Sequence, residues 1–314
     1  MSTNGWAALA LALLAGAGCK KNAPVETRVE GPAAERPSAE PPAQPRVVEL
    51  PTEVLGLSGL SRDEHGALWA PAERPSNGYP STVLRIDPES LSITAYSVEG
   101  VPKGTDLEAI AWVDGVRFVL GTETGEGGRA RDVVLEGRLE GEKLVVTPVG
   151  NLEYALWGIT ATANDGIEGI CHVDGLLIFA TELEKTEDGR RWAPLATYAP
   201  NTGTWTAHWV ALSSEDGTLA GMDCRDKGNT IEVLAIERHI EARRLLRFMV
   251  PRGTKPQRIE PLGVTVLTGE RVGPNFEGLV WMSDGSAILL NDNQLGRVRM
   301  GNSHLYFLAA DEVR

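Results

Sequence analysis

One short pattern returns five times along this chain of 314 residues, and it restricts the fold more than any other feature. The segments are Gly56-Leu57-Ser58-Gly59-Leu60, Asp106-Leu107-Glu108-Ala109-Ile110, Gly166-Ile167-Glu168-Gly169-Ile170, Gly221-Met222-Asp223-Cys224-Arg225 and Asn275-Phe276-Glu277-Gly278-Leu279. Their central residues, Ser58, Glu108, Glu168, Asp223 and Glu277, are separated by 50, 60, 55 and 54 residues. A period near 50 residues is that of a β-propeller blade, a unit that buries its apolar faces only against its neighbours.

A second marker recurs inside each unit. Turns follow the first strand at Glu64-His65-Gly66, Asp114-Gly115, Asp174-Gly175, Lys227-Gly228-Asn229 and Asp284-Gly285. Asp-Gly between apolar runs is a hairpin signal, because both residues tolerate positive φ. The second strand then ends in Glu73, Glu123, Glu182, Glu237 and the run Asn291-Asp292-Asn293. The two markers stand 15, 15, 14, 14 and 14 residues apart.

The remainder of each unit supplies two further strands. They are expected at residues 82–86 and 92–98, 132–139 and 143–149, 194–199 and 204–212, 244–250 and 258–267, and 297–300 and 304–309. The last unit is short, and residues 46–49 at the start of the domain are expected to complete it. Joining both ends in one ring removes the open sheet edges of an incomplete propeller. The expected fold is all-β, a propeller of five blades. A sixth, degenerate unit near residues 151–160 is the alternative.

In such a ring the start of each first strand meets the end of each second strand at one mouth of the central channel. Glu108, Glu168, Asp223 and Glu277 are then an inner ring, surrounded by Glu73, Glu123, Glu182, Glu237 and Asp292. Crowded carboxylates repel unless cations or protons neutralise them. Hard oxygen donors of this kind suit Ca2+. The candidate metal ligands are Glu108, Glu168, Asp223, Glu277, Glu123, Glu182 and Asp292, and the candidate catalytic acids are Glu108, Glu168, Asp223 and Glu277. Arg62, Arg74, Lys185, Arg225 and Arg238 lie close in sequence. Of these Arg74, Arg225 and Arg238 are the candidates for an anionic substrate group. The competing reading makes the acids structural staples, repeated because the blade repeats.

A net charge of −13 and the absence of any Lys/Arg cluster argue against a nucleic-acid partner. Residues 1–18 carry no charge and hold an apolar run, Trp6 to Ala17, too short to cross a bilayer comfortably. It reads as a signal segment. Leu14-Ala15-Gly16-Ala17-Gly18-Cys19 resembles a lipoprotein cleavage box, with Gly16 where Leu is usual, so Cys19 is the candidate lipidated residue. Residues 19–45 are rich in Pro, Ala and Glu and read as a tether, followed by the folded domain at 46–314. The expected partner on that reading is a bacterial envelope membrane, reached through the lipid, with a monomeric domain and a secreted protein if the box is not used. Cys171 and Cys224 read as two buried thiols, with a disulfide as the alternative.

Other chemistries lack their residues. No Gly-x-Ser-x-Gly elbow is present. The five His show no paired zinc spacing. Gly125-Glu126-Gly127-Gly128 is no phosphate cradle, because no helix follows it. The Trp residues at strand positions read as core.

Gly56-Leu57-Ser58-Gly59-Leu60-Ser61 with Leu68-Trp69-Ala70-Pro71-Ala72-Glu73-Arg74 resembles the opening of the family known as esterase-like activity of phytase. Asp106-Leu107-Glu108-Ala109-Ile110-Ala111-Trp112, Asn275-Phe276-Glu277-Gly278-Leu279 and Leu289-Leu290-Asn291-Asp292-Asn293 continue the likeness, which spans most of residues 50–312. The resemblance implies hydrolysis of phosphate or carboxylic esters of small molecules. Likeness to β-propeller phytases implies Ca2+ bridged by acids, with Glu108, Glu168, Asp223 and Glu277 as the positions to suspect. Ser58 and Asp223 depart from the Glu of the other units. The alternative function is a non-enzymatic propeller that binds a peptide, glycan or protein.

Overall fold

The strands nearest the axis centre on runs of apolar residues buried on both sides, the pattern of a sheet covered on both faces. Phe276–Trp281 and Ala287–Asn291 are buried at every position, as is Leu68–Ala72. Outer strands such as Ile93–Glu99 and Gly263–Val266 alternate or face solvent. A computed structural model describes residues 46–54, 56–72, 81–125, 127–162, 165–239, 243–268, 275–295, 298–299 and 301–313. Arg74, Glu73 and Cys19 lie outside the described residues.

The strands form five antiparallel units of four. The first has Leu57 bridged to Ala72 and Ser61–Arg62 innermost, then Leu68–Ala72, Thr82–Ile86 and Ile93–Glu99. The second runs Thr105–Asp114, Arg117–Thr124, Arg131–Glu140 and Lys143–Glu153. The third runs Ile167–Val173, Leu176–Thr181, Arg190–Ala199 and Thr204–Ala211. The fourth runs Thr218–Lys227, Thr230–Arg238, Arg243–Pro251 and Gly263–Val266. The fifth runs Phe276–Trp281, Ala287–Asn291 and His304–Leu308, and Arg46–Glu49 from the start of the domain supplies its outer strand. The helical content of the described residues is one 3-10 turn, Tyr154–Leu156.

Five apolar clusters lie between neighbouring units. One joins units one and two through Trp69, Phe118 and Leu120, and the next joins two and three through Ala109, Ile167 and Phe179. Units three and four share Ile178, Leu219 and Val233, and units four and five share Leu234, Phe276 and Leu289. The last joins five to one through Leu290, Leu305, Leu57 and Leu84. The fold is therefore a closed propeller, as the repeat implied.

Around the axis the inner strands touch backbone to backbone at one layer of small residues: Gly59, Ala109, Gly169, Gly221 and Gly278. A Cβ on Gly221 would stand 2.2 Å from the Glu277 carbonyl oxygen, and one on Gly278 would stand 2.8 Å from that of Gly59. Only a residue this small allows the strands to converge.

Three expectations are corrected and one alternative falls away. Residues 258–267 are two strands: Gln257–Ile259 pairs in parallel with the outer strand of unit three, and Gly263–Val266 alone completes unit four. Val298–Arg299 pairs with Gln294–Leu295 and takes no part in blade five. Residues 151–160 are no sixth unit. They hold the end of a long outer strand, Lys143–Glu153, and the 3-10 turn after it. Cys171 and Cys224 are joined in a disulfide between the inner strands of units three and four, with Cα atoms 5.8 Å apart. The two buried thiols that the sequence suggested are joined because neighbouring inner strands converge on the axis and bring the sulfurs together.

Candidate functional site

The ladder register settles which residues of the five units are equivalent. Leu57 pairs with Ala72, Leu107 with Thr122, Ile167 with Thr181, Leu219 with Glu237 and Phe276 with Asn291. The next inner residues are Ser58, Glu108, Glu168, Ala220 and Glu277. In units two to five a bulge interrupts the ladder there, which takes the residue out of pairing and re-aims its side chain. The residues after the second-strand partners are Glu123, Glu182, Arg238 and Asp292 in the described units.

This register corrects the fourth unit. Asp223 lies three residues beyond the ring position, which Ala220 occupies, so Asp223 is no part of the acidic mouth. Both of its carboxylate oxygens are held by backbone: Oδ1 accepts from Cys224 N at 2.7 Å and Oδ2 from Trp281 N at 2.8 Å. Arg225 lies on that same distant stretch, stacked over Trp281 at 3.6 Å and donating to the Met282 carbonyl. Glu237 points to the other side of its strand. It accepts from Ser213 N at 3.0 Å, Ser214 N at 2.7 Å and both serine hydroxyls, and so staples that loop.

At the mouth itself, one carboxylate oxygen from each of Glu123, Glu168 and Glu182 lies within 4.8 Å of the others. Glu168 is 3 % exposed and Glu123 8 %. Arg238 enters this group from unit four. It grips Glu277 with two bonds, Nη2 to Oε1 at 2.7 Å and Nε to Oε2 at 2.9 Å. Its Nη1 is 3.3 Å from Glu182, and its Nη2 is 3.8 Å from Glu168. All three nitrogens are thus turned to protein carboxylates, which leaves Arg238 a counter-ion and positioning group in this structure. Glu108 is buried at the ring position of unit two. Asp292 accepts from Asn275 Nδ2 at 3.1 Å. Neither Glu108, Glu277 nor Asp292 belongs to the close trio.

Charge crowding shows in the proton affinities. Burial, then the Glu182 charge, pushes Glu123 up to about 7 against the pull of Arg129. Burial, then Glu182 and Glu277, raises Glu168 well above the usual carboxylate range, with Arg238 opposing. Burial alone disfavours the Arg238 charge, but Glu277, Glu182 and Glu168 outweigh it and raise its proton affinity.

A supporting group went unrecognised in the sequence. Arg129 grips Asp132 with two bonds, at 2.7 and 3.0 Å, and donates to the carbonyls of Thr162 and Asp165 at 2.7 and 2.8 Å. Tyr154 also donates to Asp132. This buried knot ties the entry of unit three to unit two beside Glu123. The i,i+3 pairing of Arg129 with Asp132 at a strand start was its one local signal.

The trio is a set of hard oxygen donors with more negative than positive charge around it, which fits a divalent cation such as Ca2+. Among solved structures, a GH43_1 enzyme from Xanthomonas citri complexed with xylotriose is similar over 85 % of this chain and 92 % of its own, at 14 % identity and TM-score 0.54. The Bacteroides ovatus xyloglucan PUL GH43B is similar over 83 % of this chain and 54 % of its own, at 13 % identity and TM-score 0.51. At these identities the likeness is one of fold. No curated protein matches the sequence. The family described as phytase-like, esterase-like activity of phytase, matches residues 52–295. With most of the propeller matched and the acidic mouth in place, the chain belongs to the phytase-like family.

Proposed function

We propose that this propeller is a Ca2+-assisted hydrolase of phosphate or related esters, working at the mouth where Glu123, Glu168 and Glu182 converge. The convergence of these three carboxylates within 4.8 Å is the observation that carries the reading. A cation held there would bind substrate oxygens and make water a better nucleophile. The protein's own groups prepare the place. Burial strips water from Glu123 and Glu168, so their charges attract a cation more strongly than exposed acids would. Arg238 occupies Glu277 and orients Glu182, which confines the open negative charge to the side formed by units two and three. With its pKa pushed up to about 7, Glu123 is divided between its protonated and charged forms near neutral pH, so cation capture releases protons and tightens as pH rises. Anchoring to a bacterial envelope through Cys19 belongs to the same proposal and rests on the sequence alone.

The test is a thermal melt of the full chain in EDTA and then in Ca2+, Mg2+ or Mn2+. A cation at a hundred times its Kd contributes about 2.7 kcal/mol, a shift of a few degrees. A Ca2+ shift that disappears in Glu168→Gln, together with release of phosphate from a panel of esters, supports the proposal. A Ca2+ shift without hydrolysis makes the mouth a cation-stabilised binding surface for a peptide, glycan or protein. Absence of any shift makes the acids structural.

A further inference from the structure

The layer of small residues divides the axis, and the far side holds a separate cavity. Counting along each inner strand from that layer, the residues three positions on are Arg62, Trp112, His172, Cys224 and Trp281, one from each unit. They rim a cavity of about 240 Å³ whose floor is Leu60, Ile170 and Met222. A cavity of roughly 150 Å³ holds a benzene ring. This one therefore has room for a flat ring bearing a small polar head.

The sign of that head follows from which charges are already occupied. Asp223 is the carboxylate on the cavity wall, and both its oxygens accept backbone N–H groups. Arg225 covers one face of Trp281 at 3.6 Å and is bound to the Met282 carbonyl. Arg62 is different. Among the described residues its side-chain hydrogen bond goes to the Met282 sulfur at 3.5 Å, and its charge also acts on Asp223 without a hydrogen bond between them. Burial lowers the proton affinity of His172 against the pull of Asp114, which favours the neutral imidazole. A guanidinium presents paired donors that match a carboxylate, and indole and imidazole rims favour a flat partner.

We propose that this far mouth is a binding site for a small aromatic carboxylate, with Arg62 holding the carboxylate and Trp112, His172 and Trp281 flanking the ring. The site is independent of the acidic mouth and of any cation there.

The probe is benzoate, titrated into the full chain in EDTA by calorimetry and by thermal melt. Benzylamine serves as the cationic counterpart and inorganic phosphate as the anion without a ring. Benzoate is expected to raise the melting temperature, and benzylamine is not. Affinity for benzoate should fall at least tenfold in Arg62→Gln and recover in part in Arg62→Lys. Both variants are expected to fold, since the one side-chain hydrogen bond lost is the weak one to the Met282 sulfur. Trp112→Leu, which removes the ring but not the charge, should also weaken benzoate. The proposal is overturned if benzoate produces no heat or shift, if Arg62→Gln binds as well as the parent, if benzylamine binds equally, or if phosphate binds and benzoate does not. Loss of the Ca2+ response in Glu168→Gln with benzoate binding intact would keep the two readings distinct.

Discussion

Glu237 and Glu168 are both buried carboxylates on neighbouring blades, yet they answer to different demands. Glu237 receives two backbone N–H groups and two hydroxyls from Ser213 and Ser214, with Arg244 bonded to the same loop. Glu237→Ala leaves those donors unmatched. The expected cost is about 3 kcal/mol, visible as a lower urea midpoint, with the Ca2+ response unchanged. Glu168→Gln removes a charge from among Glu182, Glu277 and Glu123. It should leave the cation-free protein as stable or more so while abolishing the Ca2+ shift. An equal Ca2+ response in both variants would break the distinction between staple and ligand. The sequence showed that each residue was an acid beside the mouth but not which side of its strand it faced, because one residue of register decides that. His208 is the other buried group with a measurable consequence. It is fully buried, neither ring nitrogen has a partner among the described residues, and burial lowers its pKa to about 4. The folded state then binds a proton less readily than the unfolded chain. Its stability is complete above about 6.5 and declines as pH falls towards 4, by on the order of 3 kcal/mol. Urea midpoints of His208→Leu should lose most of that slope between pH 7 and pH 4.5, and an unchanged slope would assign acid sensitivity to other groups.

At the scale of the strand, the inner segment of each blade is an apolar residue, a ring residue, a small residue and a second apolar residue. It reads Leu57-Ser58-Gly59-Leu60 in the first unit and Leu219-Ala220-Gly221-Met222 in the fourth. That small third place, Gly in four units and Ala in the second, was present in the sequence, and it is the place where neighbouring strands touch. Aligning the units on their acids instead moved the fourth by three residues, because Ala220 carries no charge and Asp223 offers one nearby. Packing, not chemistry, sets the repeat, and chemistry varies on top of it. The hairpins and most of the strands were legible because Asp-Gly turns and buried runs are local signals. The split of residues 257–266 was not, because the parallel pairing of Gln257–Ile259 with unit three is a contact between blades. If the small residue is a packing requirement, Gly221→Ala should be far more costly than a glycine change elsewhere. Its Cβ would meet the Glu277 carbonyl oxygen at 2.2 Å, whereas a Cβ on Gly253 meets nothing within 4 Å. Overpacking of this kind costs about 1–3 kcal/mol, and backbone on the far side cannot rotate away. Urea denaturation of the two variants should show a clear loss for Gly221→Ala and almost none for Gly253→Ala. Equal midpoints would mean that the inner strands can separate without penalty.

The molecule as a whole depends on joining its two ends. Five clusters of apolar residues follow one another around the axis, and the fifth is shared between the last unit and the first. The ring closes at the outer edge as well, where Arg46–Glu49 pairs with His304–Leu308 in register Arg46 with Phe307 through Glu49 with His304. The Arg46 guanidinium lies over the Phe307 ring at 4.8 Å, and Leu50 N donates to the Ser303 carbonyl at 2.8 Å. The need for such a strand was legible because the last repeat ran out one strand short. The disulfide between Cys171 and Cys224 was not, because a repeat period does not say how close two neighbouring strands lie. Without residues 46–49 the edge of His304–Leu308 would present unpaired N–H and C=O groups, the usual template for pairing between copies. A chain beginning at Leu50 keeps the five apolar interfaces and loses one ladder. About four net hydrogen bonds make the expected loss about 3 kcal/mol. The truncated protein should therefore still fold, melt earlier, and form dimers or larger species in light scattering as concentration rises. A peptide with the sequence of residues 43–52 should return it to a monomer and restore part of the lost stability. If the truncated chain is monomeric and melts with the parent, the N-terminal strand decorates the ring instead of closing it. Stability would then reside in the five interfaces between blades alone.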